Sequence, residues 1–231
     1  MDNYVYENLY TKIKKTIYFC STKCYDVGTK VKRDDSMNEE KKVIEFLNNN
    51  YGYITTADFL KLNINKPAIQ IYIDKGIIEK VSHGLYMDTN VFKDEYYILQ
   101  KKYPSAIFSY NTALNILNLT NRAPMEIDIT VPRNKRVRGN YNIHHVSENY
   151  YDVGIVKVVS PYGNPLKIYN AERCICDMLR TEGEFDLELQ NRVLGYYFNS
   201  KDKDVDRLLE YAKIFNIYEK VNTIVEIMMK W

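Results

Sequence analysis

Residues 51–87, YGYITTADFLKLNINKPAIQIYIDKGIIEKVSHGLYM, carry the most specific pattern in the chain. Thr55-Thr56-Ala57-Asp58 sets a hydroxyl where a helix begins and a carboxylate three residues later, so both side chains can satisfy free N–H groups of the first turn. A short helix over 56–62 follows. The pattern restarts after Leu62-Asn63-Ile64, with Asn65 as a second cap and Pro67 in the first turn, where its missing N–H costs nothing. Ile69, Tyr72 and Ile73 then form one buried stripe in a helix running to Lys75, and Gly76 supplies the left-handed residue that ends it. The opposite face shows Lys66, Gln70 and Asp74, with Lys75 beside them. Ile77 to Val81 and Leu85 to Met87 are β-prone runs around Ser82-His83-Gly84, a hairpin with glycine at its tip.

Helix, turn, helix, hairpin is the plan of a winged helix-turn-helix, in which the second helix enters the major groove and the wing follows a phosphate strand. On that plan Thr56, Lys61, Lys66, Gln70, Lys75, Lys80 and His83 are the candidate DNA contacts. Residues 36–90 are close to neutral, so phosphate binding requires the lysines to gather on one face. Small helix-plus-hairpin modules also dock proteins. The groove-facing helix and the wing favour DNA, and charge decides nothing between the two.

Outward from this stretch the chain reads as α+β. Residues 1–35 are a polar, turn-rich extension holding Cys20 and Cys24. Ser36-Met37-Asn38-Glu39 is a capping box opening a helix to about Asn48, the first helix of a module spanning 36–90. Residues 91–231 form a C-terminal domain with a small mixed sheet and a helical bundle. Its sequence predicts a helix from Asp94 to Tyr103, a strand at 106–108 leading to a helix capped by Ser109, and a half-buried strand in which Ile127, Ile129 and Val131 alternate with Glu126, Asp128 and Thr130. Strands follow at 141–146, 155–159 and 166–169, then four helices: 170–180, 187–198, 205–215 and one from Tyr218 onward. Between the strands, Arg133, Lys135, Arg136 and Arg138 make a basic loop, either a further DNA contact or a solvated hairpin tip.

With 231 residues, 45% hydrophobic and 27% charged, the chain has the composition of a globular protein of one large or two ordinary domains. No run of about 18 apolar residues is present, which excludes a transmembrane helix by sequence, and the expected location is the cytoplasm. Cys174 and Cys176 are expected to be buried, reduced thiols. The count of 22 tyrosines accompanies equal richness in Asn, Lys and Ile, which points to codon bias rather than to base stacking.

Catalytic readings are weak. Glu126 and Asp128 share one face of a strand, a spacing that can hold a divalent cation, but their expected outward position favours solvent. His144 and His145 are adjacent and fall on opposite sides of a strand. No GxxxxGK, GxSxG or HExxH occurs. Glu172, Arg173, Asp177 and Arg180 fall at helical spacing and are expected to form an ion-pair network pinning the bundle to the sheet. No cofactor, metal or catalytic residue is expected.

Several short stretches, taken in order, resemble the AbiEi family of antitoxins: Gly84-Leu85-Tyr86; Tyr103-Pro104-Ser105-Ala106-Ile107-Phe108-Ser109 with Thr112-Ala113-Leu114; Asp128-Ile129-Thr130-Val131-Pro132; and Glu172 through Arg180, ERCICDMLR. The likeness covers about residues 38–230. It implies a winged-helix domain that binds inverted repeats in its own promoter and represses the operon. It also implies a C-terminal domain that counters a nucleotidyltransferase-type toxin, the pair forming a type IV toxin–antitoxin system of abortive infection against phage. The family is richer in arginine at the reading helix and wing, where this chain has Lys66, Gln70, Lys75 and His83, and so offers fewer bidentate guanine contacts.

Overall fold

The computed structural model describes residues 33–229 apart from 182 and 184, and the chain divides into two compact units, 1–42 and 43–231. The expected extension, with Cys20 and Cys24, lies outside the described residues as far as residue 32. Among the described residues there are ten helices and two sheets, a mixed α+β arrangement.

Helix α1 (Arg33–Asn49) is already helical at Arg33, so Ser36, the expected cap, lies inside it. Strand β1 (Tyr53–Thr55) leads directly into α2 (Thr56–Lys61). Thr55 caps α2 as the sequence predicts: its hydroxyl accepts the Asp58 N–H at 3.2 Å, and the Asp58 carboxylate accepts both the N–H and the O–H of Thr55 at 3.1 and 2.6 Å. Helix α3 (Lys66–Asp74) begins at Asn65, which has the extended backbone of a cap but makes no capping side-chain bond. Pro67 and the extended Asn65 set this start instead, since proline's fixed φ suits the first turn. Gly76, at φ +68°, turns the chain out of α3 into β2 (Ile78–Ser82), and β3 (Leu85–Asp88) returns from the hairpin tip. The sheet order is β1-β3-β2, all antiparallel. Strand β1 was not expected, because three residues abutting a cap are too short to show alternation. Val43, Leu47, Ile54, Phe59, Ile64, Ile69, Tyr72 and Ile78 make the core between these helices and the sheet.

The second sheet holds β4 (Ile107–Phe108), β5 (Ile127–Pro132), β6 (Tyr141–Val146), β7 (Ile155–Val159) and β8 (Pro165–Tyr169), in the order β6-β5-β4-β8-β7 with parallel and antiparallel pairs. Helix α4 (Glu95–Lys102) and the first sheet cover one face: Tyr53, Leu85, Met87, Tyr97 and Leu99 pack with Phe108, Ile129, Val131, Leu166 and Ile168. The other face is covered by α5 (Tyr110–Ile116), α7 (Ala171–Arg180), α8 (Leu187–Asn199), α9 (Val205–Ile214) and α10 (Tyr218–Met229), with Ile107 and Tyr169 reaching into that core. A short helix, α6 (Glu148–Tyr151), precedes β7. One apolar cluster includes residues from both sides of 88–90, where the sequence suggests a domain boundary.

The expected half-solvated character of β5 is corrected here. Asp128 is 3% exposed and Thr130 is buried, because α5 packs against β5 on the face where they lie. Local partners meet all but one of these polar groups, the exception being Asp128 Oδ2, which is buried without a hydrogen-bond partner. The Thr130 hydroxyl donates to Ser109 Oγ at 2.8 Å, the Asp128 N–H donates to Thr112 Oγ1 at 2.8 Å, and Asp128 Oδ1 lies 3.2 Å from His144 Nε2. Ser109 therefore spends its hydroxyl on the sheet and makes no capping bond to α5.

Candidate nucleic-acid interface

The outward surface of α3 follows from its own sequence. Ile69 and Tyr72 turn into the core, so Lys66, Pro67, Gln70, Ile71, Asp74 and Lys75 face out, and all six are exposed. Gln70 is engaged: its Nε2 donates to Asp74 Oδ1 at 2.8 Å across one turn. Ile71 was not singled out in the sequence, although positions 67, 70, 71 and 74 make one helical stripe and carry that signal. It is 54% exposed.

The hairpin sits next to the start of α2. The Thr56 N–H donates to the Gly84 carbonyl at 2.9 Å. Gly84 has φ +71°, and a side chain there would meet Thr56 Oγ1 at 3.3 Å, so the tip needs glycine both for its backbone and for this approach. Lys80 and His83 are exposed on the hairpin, while Thr56 is half-buried against its tip. Lys61 is exposed but paired with Asp58 at 2.9 Å. Burial draws the Asp58 carboxyl upward, but the Thr55 hydroxyl and the Lys61 ammonium outweigh it and hold the group below its ordinary value. Of the candidate lysines of the module, Lys66 and Lys80 have no acidic partner among the described residues.

The basic loop is exposed at Arg133, Lys135, Arg136 and Arg138. Its backbone is fixed: the Tyr103 hydroxyl accepts the Arg138 N–H at 3.1 Å and donates to the Arg138 carbonyl at 2.7 Å. Val137 packs in the same apolar cluster as Val81 of β2, which anchors loop and hairpin to one core. No bond joins the loop's side chains to those of α3 among the described residues.

The residues expected as an ion-pair network divide in two. Asp177 accepts from Arg173 Nε at 2.8 Å and from Arg180 Nη2 at 3.0 Å. Burial raises the Asp177 carboxyl, and the two guanidiniums pull against that rise. The Arg173 guanidinium lies between the Tyr169 and Phe215 rings, 4.2 and 4.4 Å from their centroids, and Nη1 donates to the carbonyls of Tyr150 and Val153 at 2.7 and 2.9 Å. This ties α7 to the segment entering β7. Glu172 faces elsewhere, accepting from the Tyr197 hydroxyl at 3.1 Å with Arg207 4.0 Å away.

The proposed carboxylate pair at Glu126 and Asp128 does not share an environment. Glu126 is exposed ahead of β5, and Asp128 is enclosed beside His144, whose ring stacks on Tyr110 at 3.7 Å. Among the described residues, no three His, Cys, Asp or Glu side chains are grouped to hold a metal ion. Cys174 and Cys176 are free and buried, and burial pushes the Cys176 thiol up to about 12, leaving it protonated at neutral pH. None of the described helices is long and apolar enough to cross a membrane. The chain matches no known family model and no curated protein.

Proposed function

We propose that this chain is a DNA-binding autorepressor and antitoxin of a type IV toxin–antitoxin operon, with residues 36–90 acting as a winged helix-turn-helix. The observation that carries the proposal is the outward stripe of α3, exposed along its length, with the β2–β3 hairpin held beside α2 by the bond from Thr56 to Gly84. This is the disposition a reading helix and a phosphate-following wing require. Lys66 and Lys80, free of acidic partners among the described residues, supply phosphate-neutralising charge on helix and wing. The antitoxin half of the proposal rests on the ordered resemblance, with Glu172 to Arg180 at its C-terminal end. No catalytic role is assigned.

A duplex carrying the chain's own promoter tests the first half. Binding is expected to weaken steeply with salt, with a log–log slope of about −0.9 per neutralised phosphate, and Lys66→Ala with Gln70→Ala to cost about 1–3 kcal/mol for each lost base contact. Affinity indifferent to salt and to both substitutions removes α3 from any DNA interface. For the second half, co-expression with the nucleotidyltransferase gene expected beside it should restore growth, and growth arrest despite co-expression refutes it.

A second reading has one observation behind it. Leu60 and Ile71 are 50% and 54% exposed on α2 and α3, and large apolar side chains in water also serve as protein-docking anchors. A salt-independent complex with a protein is the result that favours it.

A further inference from the structure

Phosphate contacts by lysine leave the centre of the α3 stripe unexplained. Gln70 and Ile71 stand there side by side, both exposed, between Pro67 and Asp74 on the same face. Asp74 can only accept, so its 2.8 Å bond to Gln70 Nε2 fixes which end of the amide is nitrogen and holds the side chain along the helix. One N–H of Gln70 is used in that bond. A carbonyl acceptor and one N–H donor remain.

One acceptor with one donor is the complement of adenine in the major groove, which offers the N6 amino group and N7. Guanine offers two acceptors, N7 and O6. Against it Gln70 has a single donor left, and the Asp74 carboxylate beside it adds another acceptor. Ile71, with no donor and no charge, matches the remaining apolar feature of the groove, the C5 methyl group of thymine. We infer that α3 is built to select A·T pairs, with Gln70 on an adenine edge, Ile71 against a thymine methyl group, and Asp74 as a positioning residue for Gln70. This rests on the proposed groove binding of α3 and goes beyond it by naming the bases read. Asp74 has a second effect: a carboxylate on the groove face repels phosphate, which lowers affinity for arbitrary duplex more than for the matched site.

The test is selection of the full chain on a randomised double-stranded DNA library, followed by anisotropy titrations on the selected duplex at fixed salt. An A·T-containing motif is expected. Gln70→Ala should bind it about tenfold more weakly, and Ile71→Ala about fourfold. Exchanging the contacted thymine for deoxyuracil removes only the methyl group. It should reproduce the Ile71→Ala loss in the native chain and add nothing in the variant, and 7-deazaadenine should do the same for Gln70→Ala. Neither variant changes the salt slope, since neither removes a charge. Asp74→Asn should raise affinity for random duplex. Salt-dependent binding whose motif and affinity survive both Gln70→Ala and Ile71→Ala overturns this inference alone. Absence of duplex binding at low salt, or a protein partner lost on Leu60→Ala and Ile71→Ala, overturns it together with the DNA-binding proposal.

Discussion

Arg173 and Asp177 meet at 2.8 Å with both side chains almost wholly out of water, and the guanidinium is closed in above and below by Tyr169 and Phe215. A buried ion pair of this kind is costly to break from one side, because the partner left behind is neither solvated nor paired. Arg173→Ala is expected to lose about 3–5 kcal/mol in urea unfolding. Arg173→Lys should recover only part of that, since an ammonium can neither lie flat between two rings nor reach Asp177 and the carbonyls of Tyr150 and Val153 together. Full recovery by lysine would mean that charge alone matters at this position.

Gly154 lies against the same arginine. A side-chain carbon there would sit 2.7 Å from Arg173 Cβ and 2.8 Å from Asn170 Oδ1, on a backbone at φ +83°. Gly154→Ala should therefore destabilise the chain by more than the roughly 1 kcal/mol of the left-handed backbone alone. Thermal melting monitored by circular dichroism measures this, and an unchanged midpoint would show that the segment yields freely.

Asp94 is fully buried and is held by neutral groups. It accepts from Tyr97 N–H, Ser160 Oγ and Asn164 Nδ2 at 3.1, 2.5 and 2.7 Å, while its own N–H donates to the Tyr53 hydroxyl at 3.0 Å. Tyr53→Phe leaves that N–H without its partner, at an expected cost of about 1–3 kcal/mol. Asp94→Ala should cost more, because three donors lose their acceptor. A Tyr53→Phe chain as stable as the native one in denaturant titration would show that the bond contributes nothing.

The α2 cap gives a pH dependence of known sign. The folded-state value of Asp58 lies below its ordinary 3.8, so its contribution is fully present above that value and is lost as pH falls through the depressed one. Asp58→Asn keeps one acceptor but loses the charge facing Lys61. The gap in unfolding free energy between native chain and variant should be about 1 kcal/mol near neutrality and should narrow as pH falls below 3.8 and through the depressed value. A gap that stays constant across that range contradicts the assignment.

Local chemistry made much of this fold legible. The Thr55–Asp58 cap, the Pro67 start of α3, the glycine-tipped hairpin and the helical spacing of Arg173, Asp177 and Arg180 each act within a few residues, and each stands where the sequence places it. What escaped depends on partners far along the chain. In the sequence Asp94 only opens a helix, but besides Tyr97 the groups that meet it lie 41, 66 and 70 residues away. Asp128 and Thr130 alternate with apolar neighbours as on a half-wet strand, and nothing adjacent to them announces that α5 closes over that face. At the candidate interface the lysines were evident from their charge. Ile71 shares the helical stripe of 67, 70 and 74, but it stands among apolar neighbours, and only its 54% exposure separates it from the core residues beside it.

Tyr53, Leu85 and Met87 belong to the same apolar cluster as α4 and the strands beyond it. A chimera cut after residue 90 would leave those side chains facing water and strip Tyr53 of its bond to Asp94. Transplanted to another scaffold, the first sheet and its helices must bring along α4 and the turn between β7 and β8, or be given a substitute surface for their underside.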